Sequence, residues 1–243
     1  MLKQTQSDLI WERRRIHLLI DPDKWTISEL SRAFECLPPM VGSIIVGGTY
    51  LHSGRSHFQE VMQCCFNTGL PLGNIIGAGS SDGFISSLAN YVLAPILFGS
   101  STTRFVLDHV LRAVPLLTEY NLPCVPCAYL MLAGGVHTST QYFTQTLPIP
   151  RGNLEILITL SLAAKYLGLP GIYLEAGSGA QQSVTPIEVE AVKKASELPI
   201  LVGGGVSSMS VCLELFDAGA DGVIIGTALE RTKSLSWLEH PHD

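Results

Sequence analysis

Eight short apolar runs recur along the chain, at Ile16–Ile20, Ser43–Val46, Asn74–Gly77, Leu93–Phe98, Cys124–Tyr129, Ile172–Glu175, Ile200–Val202 and Gly222–Ile225. Stretches with helical spacing separate most of them. They lie at Ser28–Cys36, Ser56–Asn67, Thr103–Thr118, Leu154–Leu167, Ile187–Leu198 and Ser208–Ala218, with a last one after Thr227. In Thr103–Thr118 the spacing puts Phe105, Val106, His109, Val110 and Ala113 on one side. Strands that alternate with helices make a parallel sheet, and eight of them in 243 residues is the count that closes a (β/α)8 TIM barrel. No break in composition divides the chain, so residues 1–243 read as one barrel domain. An open doubly wound sheet would carry G-x-G-x-x-G in its first turn, and that pattern is absent.

Two intervals depart from the repeat. Only Ala78–Val92 separates the third and fourth strands, and Gly79, Ser80, Ser81, Asp82 and Gly83 occupy its first half. A full barrel helix with two loops does not fit there, so the helix after the third strand is expected to be degenerate or missing, which would open the wall sideways. Met131–Arg151 is long and irregular, with Gly134-Gly135, Pro148 and Pro150; loops of that length are commonly functional.

Apolar residues make up 47% of the chain and charged residues 15%, which excludes disorder and suits a large enclosed core or a greasy ligand. The formal charge is −6, and Arg13-Arg14-Arg15 is the one basic run, read as a solvated turn before the first strand. No nucleic-acid partner is expected of such a chain. Met1–Glu12 lacks the apolar run of a signal peptide, and runs such as Val92–Phe98 are far too short to span a bilayer. Cys124 and Cys127 have C-x-x-C spacing but no second pair at metal-site distance, so the six cysteines read as free thiols of a cytoplasmic protein.

Active sites of such barrels stand at the C-terminal ends of the strands. The first strand ends in Asp21-Pro22-Asp23-Lys24, the second in Gly47-Gly48-Thr49 and the sixth in Glu175-Ala176-Gly177-Ser178-Gly179. The seventh ends in Gly203-Gly204-Gly205 and the eighth in Gly226-Thr227. The last two form an expected phosphate cup: glycine lets the backbone approach an anion, and Gly226-Thr227 opens a helix with free N–H groups. The alternative is a pair of tight turns without a ligand. Alternation within Ile172–Glu175 aims Tyr173 and Glu175 into the barrel and Ile172 and Leu174 at the helices. An inward carboxylate is costly unless it is used or paired, so Glu175 is either catalytic or an ion-pair partner. Asp21 also faces inward. Beside Thr49 it suits Mg2+, which takes oxygen ligands, although Asp-Pro also caps turns.

These motifs resemble one family. Ile-Asp-Pro-Asp-Lys (20–24), Ile-Val-Gly-Gly-Thr (45–49), Pro-Ile-Pro-Arg (148–151), Tyr-Leu-Glu-Ala-Gly-Ser-Gly-Ala (173–180), Val-Gly-Gly-Gly-Val (202–206) and Gly-Ala-Asp-Gly-Val-Ile-Ile-Gly-Thr-Ala (219–228) are similar to those of the geranylgeranylglyceryl phosphate synthases, which include heptaprenylglyceryl phosphate synthases. The Glu-Ala-Gly-Ser-Gly form resembles the branch of many archaea and some bacteria, known as group II. The resemblance implies Mg2+ ligands at Asp21 and Thr49 and a proposed base at Glu175. It implies a glycerol-1-phosphate site on Tyr173, Leu174, Glu175, Ala176, Gly177, Ser178 and Gly179, on Gly204 and Gly205, and on Gly226 and Thr227. It also implies a prenyl tail leaving where the helix after the third strand is degenerate. Gly77-Ala78-Gly79 stands where the family commonly has Phe-Pro-Gly, Leu147 where a lysine often precedes Pro-Ile-Pro, and Leu19 where the other branch has a lysine.

The expected activity is therefore a Mg2+-dependent prenyl transfer from geranylgeranyl diphosphate to the sn-3 hydroxyl of sn-glycerol-1-phosphate. Heptaprenyl diphosphate is the alternative donor. A homo-oligomer, dimer or hexamer, and peripheral membrane contact through the lipid product complete the expectation. The rivals are a phosphate-binding isomerase or epimerase, which needs a second acid/base group facing Glu175, and a non-catalytic binding relative.

Overall fold

The structure, a computed structural model, describes residues 6–77 and 84–238. The strands are β1 (Arg15–Ile20), β2 (Val41–Val46), β3 (Leu72–Ile75), β4 (Tyr91–Leu97), β5 (Cys124–Met131), β6 (Ile172–Glu175), β7 (Ile200–Gly203) and β8 (Gly222–Ile225). They pair in sequence order, all parallel, and β8 returns to β1 to close the barrel. Around them lie α1 (Ile27–Ala33), α2 (Gly54–Phe66), α3 (Asp108–Glu119), α4 (Ser139–Thr144), α5 (Leu154–Tyr166), α6 (Pro186–Ser196), α7 (Met209–Asp217) and α8 (Thr227–Thr232).

The two-residue period of the strands sorts their side chains into two layers. Ile16, Leu18, Ile44, Leu130, Ile172, Leu174, Val202 and Val223 pack outward against the helices. Ile45, Leu93, Val125, Tyr129, Tyr173, Leu201 and Ile224 fill the barrel interior. Near its N-terminal end the interior is polar. His17 Nδ1 lies 2.8 Å from Ser43 Oγ, which lies 3.1 Å from the Tyr91 hydroxyl. Ile10, from a helical turn ahead of β1, joins the interior cluster below.

Cys124 and Cys127 sit three residues apart on β5, which in a strand means opposite faces. Cys127 is inside the barrel and Cys124 packs outside beneath α3, so the pair cannot share a metal or a disulfide. Arg13 and Arg14 form the turn, Arg15 opens β1, and all three side chains are paired. Arg14 meets Asp217 at 2.9 Å, Arg15 meets Glu12 at 3.3 Å and Arg13 meets Asp221 at 3.6 Å.

The expected helix over Thr103–Thr118 is broken. A single 3-10 turn at Thr103–Phe105 is followed by α3 from Asp108, with Leu107 out of helical geometry. The break changes the angular phase. Phe105, His109 and Ala113 are buried as expected, but Val106 is exposed. Between β3 and β4 the described residues carry no helix, and Ala78–Gly83, which hold the glycines of that interval, lie outside the described residues. Its second half packs back onto β3: Asn74 accepts the Ser86 N–H at 3.0 Å and donates to the Val46 carbonyl at 3.1 Å. No helix among the described residues is long and apolar enough to cross a membrane.

Candidate active site

At the C-terminal ends of the strands lies a cavity of about 350 Å3. Asp21, Thr49, Tyr173, Glu175, Gly177, Ser178, Gly179, Gly204, Gly205, Gly226 and Thr227 all line it, so the barrel brings together residues scattered along most of the chain. Leu174 and Ala176, also expected to touch the ligand, do not line it. Both side chains are in the outer layer, and the Ala176 N–H is committed to the Gly203 carbonyl at 3.0 Å. Strand alternation forces this: their neighbours Tyr173 and Glu175 take the inward places.

Glu175 is buried at the floor of the cavity. Its Oε1 accepts the Gly177 N–H at 2.7 Å, and the Tyr173 hydroxyl bonds to the carboxylate as well. Burial pushes its pKa up, opposed by those two hydrogen bonds. No cation pairs with it among the described residues, which removes the ion-pair alternative. Gly204 must be glycine for two reasons. Its φ is +83°, and a Cβ there would collide with Glu175 Oε1 and the Ala176 and Gly177 nitrogens. Tyr129 stands edge-on to Tyr173, with ring centroids 5.0 Å apart. Burial and the Glu175 charge keep both phenols protonated.

Asp21 does cap a turn: its Oδ1 accepts the Asp23 N–H at 3.0 Å. It lines the cavity too, so the capping and functional readings coexist. Burial raises its pKa. Asp23 in turn accepts the His52 and Ser53 N–H groups at 2.7 and 2.8 Å, which locks the turn after β1 to the turn after β2. A Cβ on Gly48 would sit 3.0 Å from the Asp21 carboxylate, so glycine there lets the two turns close on each other. The Thr49 hydroxyl lies 2.8 Å from that of Thr140. A carboxylate and a hydroxyl are hard oxygen donors, and no three His, Cys, Asp or Glu side chains among the described residues form a metal cage. That donor set fits Mg2+, which keeps waters and binds ligand phosphates.

The long stretch after β5 is a wall of the site. Its Thr138 and Thr140 line the cavity, with α4 starting between them. Arg151 clips it in place: Nε donates to the Ala133 carbonyl at 2.6 Å, Nη2 to the Gln182 carbonyl at 2.7 Å, and Nη1 pairs with Glu188 at 2.7 Å. Two further groups of lining residues are not among the expected site residues. Ile75, Pro95, Leu97 and Phe105 make an apolar wall on the β3–β4 side. Glu230 and Arg231 lie on α8, one turn beyond the Gly-Thr motif. Their helical placement after Thr227 was readable, but only the closed barrel shows that this turn faces the cavity.

The PcrB family model matches residues 8–239. A geranylgeranylglyceryl phosphate synthase of Pyrococcus furiosus is 35% identical over 228 residues, covering 92% of this chain and 88% of the relative. One from Zunongwangia profunda is 32% identical over 218 residues, covering 90% and 92%. The crystal structure of the Thermoplasma acidophilum (S)-3-O-geranylgeranylglyceryl phosphate synthase in complex with its substrate sn-glycerol-1-phosphate superposes with a TM-score of 0.81. It is 26% identical and covers 99% of this chain and 96% of that one.

Proposed function

The chain belongs to the PcrB family, and from that premise we propose that it is a geranylgeranylglyceryl phosphate synthase: it forms an ether bond between a prenyl diphosphate and sn-glycerol-1-phosphate. One observation carries this reading: a buried, raised-pKa carboxylate stands between a glycine-lined polar cup and an apolar wall. The cup suits a phosphate ester and the wall suits a prenyl chain.

The phosphate of the acceptor sits against the backbone of Gly177–Gly179, Gly204, Gly205 and Gly226-Thr227, where the glycines present no Cβ to it. That placement aims the sn-3 hydroxyl at C1 of the prenyl chain. The bond from C1 to the diphosphate oxygen breaks, the bond from C1 to the hydroxyl oxygen forms, and Glu175 takes the hydroxyl proton. Burial makes Glu175 a stronger base than an exposed carboxylate, and the Gly177 N–H and Tyr173 hydroxyl hold it in place. Asp21 and Thr49 would hold a Mg2+ ion, which supplies charge neutralisation to the diphosphate leaving group. The apolar wall of Ile75, Pro95, Leu97 and Phe105 excludes water from the carbocation-like carbon.

A panel of prenyl diphosphates with sn-glycerol-1-phosphate and Mg2+, read by mass spectrometry, tests the reading. Geranylgeranylglyceryl phosphate and diphosphate are expected, with geranylgeranyl diphosphate used faster than heptaprenyl diphosphate. Preferential use of the heptaprenyl donor would overturn the chain length, and absence of any ether product would overturn the reaction.

A further inference from the structure

The proposed reaction brings two phosphorylated substrates into a cavity whose ionisable wall is mostly acidic. Asp21, Glu175 and Glu230 all line it. Among the described residues Arg231 is the only lysine or arginine that does so. Glycine N–H groups alone offer dipoles to a phosphate dianion; a guanidinium adds a full charge and a planar fork of donors.

Arg231 is placed for one of the two anions. Its Nη2 lies 3.7 Å from the point where a Cβ would stand on Gly179, so the guanidinium overhangs the glycine segment after β6. The Ser178 and Thr227 hydroxyls bond at 2.9 Å and tie that segment to α8, which carries Arg231. Arg231 is exposed and makes no hydrogen bond or ion pair among the described residues. Arg151, by contrast, has all three nitrogens committed to structural partners. We propose that Arg231 clamps the phosphate of the glycerol-1-phosphate acceptor and so selects a phosphorylated glycerol. This rests on the acceptor identified in the proposed function.

The test uses the full chain with Arg231→Gln and Arg231→Lys. Calorimetric titration with sn-glycerol-1-phosphate measures binding without turnover, and steady-state kinetics varies each substrate separately. Charge-assisted hydrogen bonds of this kind lead to an expected rise of about 10–100-fold in Kd and KM for glycerol-1-phosphate in Arg231→Gln. Arg231→Lys should lie between, because it keeps the charge and loses the fork. The KM for the prenyl diphosphate and kcat at saturation should stay within about two- to threefold, and the melting temperature without ligand should not move, since the side chain holds nothing in place. An unchanged Kd for glycerol-1-phosphate overturns the clamp while leaving the reaction intact. A KM effect confined to the prenyl diphosphate also overturns it, by assigning Arg231 to the other anion. A wild-type protein that binds no glycerol-1-phosphate overturns the clamp and the proposed function together.

Discussion

Glu175 concentrates the chemistry at the scale of a single residue. Burial raises its pKa first, and the hydrogen bonds from Tyr173 and the Gly177 N–H oppose that rise without cancelling it. A base must be ionised to accept a proton, so activity should fall as pH drops through a pKa above the ordinary carboxylate range. The acid limb of kcat against pH is expected there, and measurement of that limb in wild type checks it. For stability the sign is different. A carboxyl whose folded pKa is raised stabilises the fold only while protonated, and that contribution is lost as pH rises through the raised value. Glu175→Gln should therefore keep or raise the melting temperature at neutral pH while kcat falls about 10²–10⁴-fold. Near-normal kcat in a stable variant would end the assignment. The residue was legible in the sequence because alternation over Ile172–Glu175 leaves no other inward position at that strand end. The hydrogen bonds that fix its orientation were not, since they come from the fold of the turn after it.

Among the elements, the turn after β7 and the wall after β5 divide the work. Gly205 has φ +75°, and a Cβ there would stand 3.0 Å from the Ala180 carbonyl. Gly205→Val adds backbone strain of about 1–3 kcal/mol and fills the cup. Both a lower melting temperature and a several-fold higher KM for glycerol-1-phosphate are expected. Gly168→Val separates the two effects. Gly168 has φ +73° but no heavy atom within 4 Å of its Cβ position, and it does not line the cavity. That variant should lose stability and keep its KM; an equal KM change in both would show that strain, not the cup, governs binding. The wall after β5 was visible in sequence only as an irregular stretch. Its order comes from Arg151, whose partners Ala133, Gln182 and Glu188 lie 18, 31 and 37 residues away. Local periodicity carries no trace of such contacts. The same limit explains α3: spacing over Thr103–Thr118 suited one helix, and the chain instead breaks at Val106-Leu107 where no side chain caps the start.

For the whole molecule, barrel closure is what assembles the site. Asp21 follows β1 and Thr49 follows β2, and Asp23 holds the two turns together. Glu175 ends β6, four strands away along the sheet from β2. Chelation by EDTA should abolish most turnover, and Asp21→Asn should do the same in the presence of Mg2+. Both are measured as product formed per unit time, and full turnover in EDTA would remove the metal from the reaction. The sequence by itself determined the strand count, the inward places of Asp21, Tyr173 and Glu175, and the glycine turns of the cup. Those features are set by the two-residue period of a strand and by the conformational freedom of glycine, which act over a few residues. Only the tertiary structure decided that the Ala176 N–H is committed to the Gly203 carbonyl, that an apolar wall from β3 and β4 completes the cavity, and that Arg231 reaches over the Gly179 turn. Each of those depends on which strand lies beside which, and on the tilt at which α8 leaves the closed barrel. Such relations exist only once distant segments have packed.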